Sequence, residues 1–186
     1  LPGFQGYDEA QTLDMLGGLW GAALPAEAGM ALADMPAAVK SGAIKMAYVF
    51  GRRPDELENV PFLIVQTSRL ADVTDDASVV FPAASYAETA GTFTNLNGRV
   101  QLARQAQRPL GDSRPDWWIL AQLGSRLGRS AQWNFSSPAA VFAEIAQVVP
   151  GYGGLSHEGL GADGRLRSMD GMQLRLAEAR VLQHVE

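Results

Sequence analysis

The stretch SVVFPAASYAETAGTFTNLNGRVQ, residues Ser78 to Gln101, decides how this chain is interpreted. It begins with an apolar run that stops at Pro82, because proline has no backbone N–H to donate to a neighbouring strand. It continues into Gly91–Arg99, which is rich in glycine, threonine and asparagine. Such a segment presents many hydrogen-bonding groups with little side-chain bulk. It suits either a polar ligand or a turn that satisfies its own backbone.

The composition excludes several kinds of site. The chain has 186 residues, of which 47 % are hydrophobic and 19 % charged, as in a globular domain with a sizeable core. A net charge of −5 gives no electrostatic reason to expect nucleic acid or an anionic membrane as a partner. With no cysteine and only two histidines, the chain has no thiolate zinc site, iron–sulfur ligand or cysteine nucleophile. No apolar run is long enough to span a bilayer, so direct membrane insertion is not expected.

Three apolar runs predict the strands of a parallel sheet. Residues 44–50, 62–66 and 78–81 are almost entirely apolar, which indicates strands buried on both faces between helix layers. The connections of about a dozen residues are long enough for parallel crossovers. The predicted fold class is α/β, a doubly wound, largely parallel sheet with flanking helices. Ligands of such sheets bind outside the carboxyl ends of the strands, which here lie at Gly51, Thr67 and Pro82.

Helices are predicted beside these strands from apolar spacing and end signals. The predicted ranges are 9–16, 31–41, 116–127 and 137–149. Pro36 suits the first turn of the second helix, and Asp112 or Ser113 could cap the third. The many glycines of residues 152–168 indicate a loop, and residues 172–185 are compatible with either a strand or a helix.

Charged residues near the strand ends offer two candidate sites. Asp72, Asp75 and Asp76 could hold a metal, but the same residue types cap helices and form turns, and we favour that role. Arg52 and Arg53 directly follow the first strand, where paired guanidinium groups can clamp a phosphate. They could equally form ion pairs with acidic residues just downstream, which are Asp55, Glu56 and Glu58. The residues leave these two alternatives open.

The remaining candidates point to no catalytic machinery. His157 has no second imidazole near it in sequence, so we expect a surface role, and Trp117 and Trp118 are expected in core and interface packing. Catalytic triads, phosphate-binding glycine loops and paired catalytic carboxylates are not evident. We therefore assign no catalytic residue and no metal ligand. Because the chain opens with Leu1-Pro2-Gly3, we expect it to be a fragment of a larger protein.

The order of motifs resembles the molybdopterin oxidoreductase superfamily. The motifs are IKMAYVFG at 44–51, SVVFPAASYAE at 78–88, GTFTNLNGRVQ at 91–101 and RPDW at 114–117. Within the superfamily, the chain looks most like the C-terminal region of the large iron–sulfur subunit of bacterial NADH–quinone oxidoreductase, respiratory complex I. The resemblance covers roughly residues 1–150 and is densest over 44–128, so 1–150 is expected to be one domain and 151–186 a C-terminal extension.

The resemblance implies a site at the carboxyl edge of the sheet. Catalytic relatives use this α/β domain to help bind a molybdenum bis(pterin guanine dinucleotide) cofactor. Carried over by position, the residues near that cofactor are Gly51, Arg52, Thr67, Pro82, Asn95, Gly98 and Arg99. The residue before Gly98 is usually acidic in relatives and is Asn97 here, which removes a charge from the inherited contact.

Two functions follow from the resemblance. The first is a cofactor-free structural domain of the complex I subunit, inactive in isolation, with iron–sulfur clusters expected only in the N-terminal part of the full subunit. Its partners would be other domains of its own subunit and other peripheral-arm subunits, on the cytoplasmic side of the inner (plasma) membrane. The alternative is a fragment of an active molybdenum or tungsten enzyme of the formate dehydrogenase or nitrate reductase type, in which the same residues bind the pterin dinucleotide.

Overall fold

The computed structural model of the protein describes residues 10–168. Its helices are α1 (Ala10–Trp20), α2 (Met35–Lys40), α3 (Asp116–Gly124) and α4 (Pro138–Val148). Its strands are β1 (Met46–Phe50), β2 (Phe62–Thr67), β3 (Val79–Pro82), β4 (Gly91–Thr94), β5 (Arg99–Ala103) and β6 (Arg165–Leu166). Short 3₁₀ turns occupy Leu32–Asp34, Asp55–Leu57 and Leu70–Asp72. Within the described residues, no helix is long and apolar enough to cross a membrane.

The three predicted apolar strands form a parallel sheet. The strand order is β1-β2-β3, and the register pairs Val49 with Val65 and Val65 with Val80. Leu63 and Val65 on the central strand have no exposed surface. Burying side chains of this size stabilises the fold by about 1.5–3 kcal/mol each. The α/β class with a parallel sheet and flanking helices is therefore confirmed.

One face of the sheet is less covered than the sequence predicts. Successive side chains on a strand point to opposite faces, so Phe62 lies opposite the buried Leu63. Phe62 is 43 % exposed, and Met46 and Phe50 on β1 are 60 % and 54 % exposed. The strand connections at residues 51–61 and 68–78 contain short 3₁₀ turns in place of α-helices. The expectation of burial on both faces is therefore wrong for the β1 side within residues 10–168.

The polar segment after β3 folds as a second sheet. Strands β4 and β5 are antiparallel, with Thr92 opposite Leu102, and β6 pairs with the other side of β5. The expectation that Gly91–Arg99 forms a loop at the parallel sheet is therefore wrong. The segment is rich in threonine and asparagine but forms a hairpin, and the Val100 side chain on its inner face is fully buried. The loop prediction for residues 152–168 holds apart from the two residues of β6.

A separate core lies under this hairpin. Val100 packs with Phe142 of α4 and with Leu160, and each is at most 2 % exposed. Tyr152 and Leu155 pack against the same cluster. Helix α1 reaches this part of the molecule at its end, where the indole N–H of Trp20 donates to the carboxylate of Glu144 at 3.1 Å.

The starts of α2 and α4 follow the sequence signals, whereas other helix predictions differ from the structure. Pro36 lies in the first turn of α2, and Ser137 accepts a hydrogen bond from the backbone N–H of Ala140 at the start of α4. The predicted cap of α3 by Asp112 or Ser113 is wrong, because the hydroxyl of Ser113 donates to the carbonyl of Leu110. The predicted 9–16 helix extends to residue 20, and 31–41 splits into a 3₁₀ turn and α2. The prediction for 172–185 lies outside the described residues.

His157 is half-buried against the second core, and not at a purely surface position as expected. Its ring lies 5.4 Å from the ring of Phe142, and its Nε2 atom is buried without a hydrogen-bond partner. Desolvation lowers the pKa of His157 below its usual 6.5. The neutral imidazole is therefore the form that the folded state prefers.

We expect the free energy of unfolding to decrease as the pH falls below about 6.5. The unfolded chain binds a proton at its ordinary pKa, whereas folded His157 binds one only at lower pH, so the stability is complete above 6.5 and is lost as the pH falls toward the folded pKa. Urea denaturation between pH 8 and 5 measures this dependence. The His157→Gln variant should flatten it, and His184→Gln serves as the control. Parallel curves for the parent and His157→Gln would contradict the assignment.

Gly124 at the end of α3 lies against the ring of Trp133. A Cβ atom at this position would lie 2.4 Å from Cδ2 of that ring. We expect Gly124→Ala to destabilise the protein by about 1–3 kcal/mol, because the indole must move. The control is Gly18→Ala in α1, where a Cβ would meet no atom within 4 Å and should stabilise by about 0.5–1 kcal/mol. Thermal unfolding distinguishes the two, and equal shifts would refute the close contact.

Candidate functional site

The carboxyl ends of the parallel strands meet at one edge, as predicted. Thr67 and Pro82 are register partners at the ends of β2 and β3, and the N–H of Gly51 donates to the carbonyl of Gln66 at 2.8 Å. Gly51 has a φ of +78°, which favours glycine, and a Cβ placed there would meet no atom within 4 Å. The structure thus brings three of the predicted site residues together around open space.

A chain of polar side chains crosses the sheet to this edge. The Tyr48 hydroxyl donates to Oε1 of Gln66, and Nε2 of Gln66 donates to the Asp116 carboxylate at 2.5 Å. Gln66 is only 1 % exposed, whereas Asp116 is exposed. Burial, followed by the nearby Asp116 charge, raises the pKa of Tyr48 and keeps its hydroxyl protonated. The chain therefore fixes the amide orientation of Gln66 and ties one carboxylate oxygen of Asp116, an exposed residue, to the sheet.

Backbone pairing brings Asp116 to the same edge. The N–H of Arg114 donates to the carbonyl of Pro82, and the N–H of Ala84 donates to the carbonyl of Arg114. These bonds make a parallel bridge between Ala83 and Arg114. Helix α3 begins two residues later, with Asp116 in its first turn, where the helix dipole favours a negative charge.

Glu88 holds the two loops that form this bridge. One carboxylate oxygen accepts the Ser85 N–H at 2.8 Å and the other accepts the Leu110 N–H at 3.0 Å. The side chain is 5 % exposed. The hydrogen bond from Ser85 is the main cause that lowers the pKa of Glu88, so the carboxylate is ionised at neutral pH. Glu88 is therefore a structural anchor and not a free acid.

A cleft of about 250 Å³ opens beside these groups. Thr67, Arg69, Pro82 and Glu88 are among the residues that line it. The Thr67 hydroxyl is partly committed, because it accepts the Arg69 N–H at 3.1 Å. The cleft combines apolar walls with polar groups, and its volume is below the roughly 300 Å³ at which small-molecule sites begin.

The charged residues that the sequence offered as candidate sites make different contacts in the structure. Arg53 pairs with Asp76 at 3.5 Å, which neither of the two alternatives included, while Arg52 is exposed at the sheet edge. Asp72 accepts a hydrogen bond from the Thr67 hydroxyl, in agreement with the favoured turn role. Within residues 10–168, no group of three or more His, Asp or Glu side chains is placed to hold a metal.

The hairpin residues are occupied with their own turn. Oδ1 of Asn95 accepts the backbone N–H groups of Asn97 and Arg99, and the Arg99 guanidinium donates to the Asp163 carbonyl. Gly98 has a φ of +75°, which this tight turn requires. The structure thus places Asn95, Gly98 and Arg99 on the antiparallel sheet, apart from the edge residues Gly51, Thr67 and Pro82. Their contact with a cofactor stays a prediction.

Sequence reasoning missed Gln66, Asp116 and the anchor Glu88. The available signals were a single glutamine at the end of an apolar strand and an aspartate directly after a proline at a helix start. Both signals were visible in the sequence, but their contact was not, because 50 residues separate them.

The polar chain generates a stability prediction. Gln66→Leu leaves the Tyr48 hydroxyl without its acceptor in a partly buried position, so we expect a loss of about 1–3 kcal/mol. Adding Tyr48→Phe to that variant should recover part of the loss, because the stranded hydroxyl is removed. Exposed Gln101→Leu is the matched control. Chemical denaturation of these three variants and of Tyr48→Phe alone tests this, and additive single losses would contradict the coupling.

Comparisons with known proteins identify a family for this chain. The family profile described as Molybdopterin oxidoreductase matches residues 8–126, which is more than half of the chain. The chain is 36 % identical to the F420-dependent formate dehydrogenase 2 subunit alpha of Methanococcus maripaludis, over 88 % of this chain and 25 % of that protein. It is 38 % identical to the NADPH-Fe(3+) oxidoreductase subunit alpha of Geobacter sulfurreducens, over 75 % of this chain and 18 % of that protein.

A third relative is also named as an oxidoreductase. The probable oxidoreductase YjgC of Bacillus subtilis is 34 % identical over 86 % of this chain and 17 % of its own length. The chain spans a quarter or less of each of these three relatives. The matched range contains the whole parallel sheet, the hairpin of β4 and β5, and α3. The chain belongs to the molybdopterin oxidoreductase family.

Proposed function

We propose that this chain is part of a larger molybdenum or tungsten oxidoreductase of the formate dehydrogenase type. In it, the carboxyl edge of the parallel sheet binds the nucleotide end of the pterin guanine dinucleotide. The observation that carries the proposal is the Tyr48–Gln66–Asp116 chain, which ties the exposed residue Asp116 to the end of the central strand.

The donor and acceptor set at the edge fits a guanine nucleotide. A carboxylate only accepts hydrogen bonds, so Asp116 matches the N1–H and N2–H₂ donors of a guanine base. Gly51 leaves space for a close approach to the backbone, and the exposed guanidinium of Arg52 can contact a phosphate. These residues therefore fit the dinucleotide portion of the cofactor.

We assign no metal ligand to this chain. Within residues 10–168, no group of three or more His, Asp or Glu side chains is placed to hold a metal. The bound metal supplies the two-electron oxidation or reduction of the substrate. This chain's contribution is to hold and orient the nucleotide, with Gln66 fixing Asp116 from inside the sheet.

The relatives favour this proposal over the complex I hypothesis. Two of the three are named as formate dehydrogenase and NADPH-Fe(3+) oxidoreductase alpha subunits, and a second M. maripaludis formate dehydrogenase subunit is 35 % identical. A cofactor-free role in complex I had rested on the absence of cysteines and on Asn97. Asn97 contributes its backbone N–H to the hairpin turn, a contact that any residue except proline could make, so this contact says nothing about the missing acid.

The experiment compares two aspartate variants of the full-length protein purified from its native source. Molybdenum and tungsten are measured by mass spectrometry, and the guanine nucleotide released by acid is quantified by chromatography. Stoichiometric metal and guanine nucleotide are expected in the parent. Asp116→Asn keeps an oxygen for Gln66 but loses the charge-assisted contact, so nucleotide retention should weaken by about tenfold or more.

Asp14→Asn, which alters an exposed carboxylate on α1, is the matched control and should retain the nucleotide fully. Thermal unfolding of both variants shows whether either substitution acts through the fold. A parent protein without molybdenum, tungsten or guanine nucleotide would refute the proposal and return the complex I hypothesis. Equal retention by Asp116→Asn and the parent would refute the role of Asp116 alone.

A further inference from the structure

A second cleft, of about 370 Å³, lies between β3 and α3. Pro82 lines both this cleft and the smaller cleft at the carboxyl edge, so the two clefts are adjacent. Its apolar lining comes from Phe81 and Pro82 on the sheet and from Ile119 and Leu123 on the helix. Its volume is within the range of small-molecule sites, which begins at about 300 Å³.

The rim of this cleft carries an excess of positive charge. The charged residues that line it are Asp112, Arg114 and Arg126, two cations against one acid. Nη1 of Arg126 donates to the carbonyl and side-chain oxygens of Gln122, and Nη1 of Arg114 donates to the Ser113 carbonyl at 2.8 Å. A guanidinium group has five N–H donors, so both arginines retain donors for a ligand.

Arg114 is held in place before any ligand binds. Its Cζ atom lies 5.9 Å from the centre of the Trp118 ring, in the range of a cation–π interaction. Together with the bond to Ser113, this contact restricts the rotamers of a side chain that otherwise loses much entropy on binding. The fixed guanidinium stands beside an apolar floor with two aromatic side chains, Phe81 and Trp118.

From this arrangement we infer that the cleft binds a small aromatic monocarboxylate. The floor takes the apolar ring and the guanidinium groups at the rim offer donors to the carboxylate, for which their planar geometry is suited. Inorganic phosphate would leave the apolar lining unfilled, and a neutral aromatic compound would leave the arginine donors unused. The inference goes beyond the proposed nucleotide site, because it depends on none of Tyr48, Gln66 or Asp116.

The test is isothermal titration calorimetry of the full-length protein with 2-naphthoate, its neutral analogue 2-naphthamide and inorganic phosphate. Saturable binding of 2-naphthoate is expected, with the amide at least about tenfold weaker, because charge-assisted hydrogen bonds are lost. Inorganic phosphate alone should not bind at the same concentrations. Equal binding of acid and amide, or of phosphate and 2-naphthoate, would overturn the inference.

Variants that remove a positive or a negative charge from the rim test where the ligand binds. Arg114→Gln and Arg126→Gln should each lower the affinity for 2-naphthoate by about tenfold. Asp112→Asn should raise this affinity, because the substitution removes the negative charge from the rim. Arg104→Gln, at an exposed arginine that does not line the cleft, should leave the affinity unchanged. Weakening by Arg104→Gln equal to that of Arg114→Gln, or weakening by Asp112→Asn, would overturn the assignment. Thermal unfolding confirms that each variant is folded.

Discussion

The pairing of Arg114 with β3 is the constraint on which the site depends. Two backbone hydrogen bonds join Arg114 to Pro82 and Ala84, and the buried Glu88 carboxylate holds the flanking loops from both sides. This pairing sets where α3 begins beside the sheet, and the positions of Asp116 and of the second cleft follow from it. Charge-assisted hydrogen bonds to backbone N–H groups are among the stronger ones in proteins, and here both oxygens of one side chain make them.

The parallel sheet was predictable because its signal is local. A run such as residues 62–66, with four apolar side chains in succession, is compatible with little other than a buried strand. The hairpin of β4 and β5 was not, since its strands carry threonine and asparagine, and its pairing depends on a turn that Asn95 completes through its side chain. Coverage of the β1 face was overestimated because a composition pattern cannot say whether a connection becomes a 3₁₀ turn or a helix.

Part of the site was predictable from the sequence, because the ends of the strands are also a local signal. Strand ends locate Gly51, Thr67 and Pro82, because the carboxyl ends of parallel strands meet at one edge. The contact of Gln66 with Asp116 follows from tertiary packing alone, and nothing in the spacing of 50 residues encodes it. Arg53 shows the same limit, since its partner Asp76 lies on the next connection and not among the adjacent acids. Sequence patterns predict where the site lies, whereas the contacts between its side chains depend on the tertiary structure.

The contact of Trp20 with Glu144 bears on how the chain folds as it is synthesised. The two residues are 124 positions apart, so α1 leaves the ribosome long before α4 exists to receive it. At about 5–20 residues per second, that interval lasts roughly 6–25 s. Helix α1 is short, and isolated helices of fewer than about 12 residues are marginal in water. During translation, α1 is therefore made well before α4, the helix that supplies the Glu144 partner of Trp20.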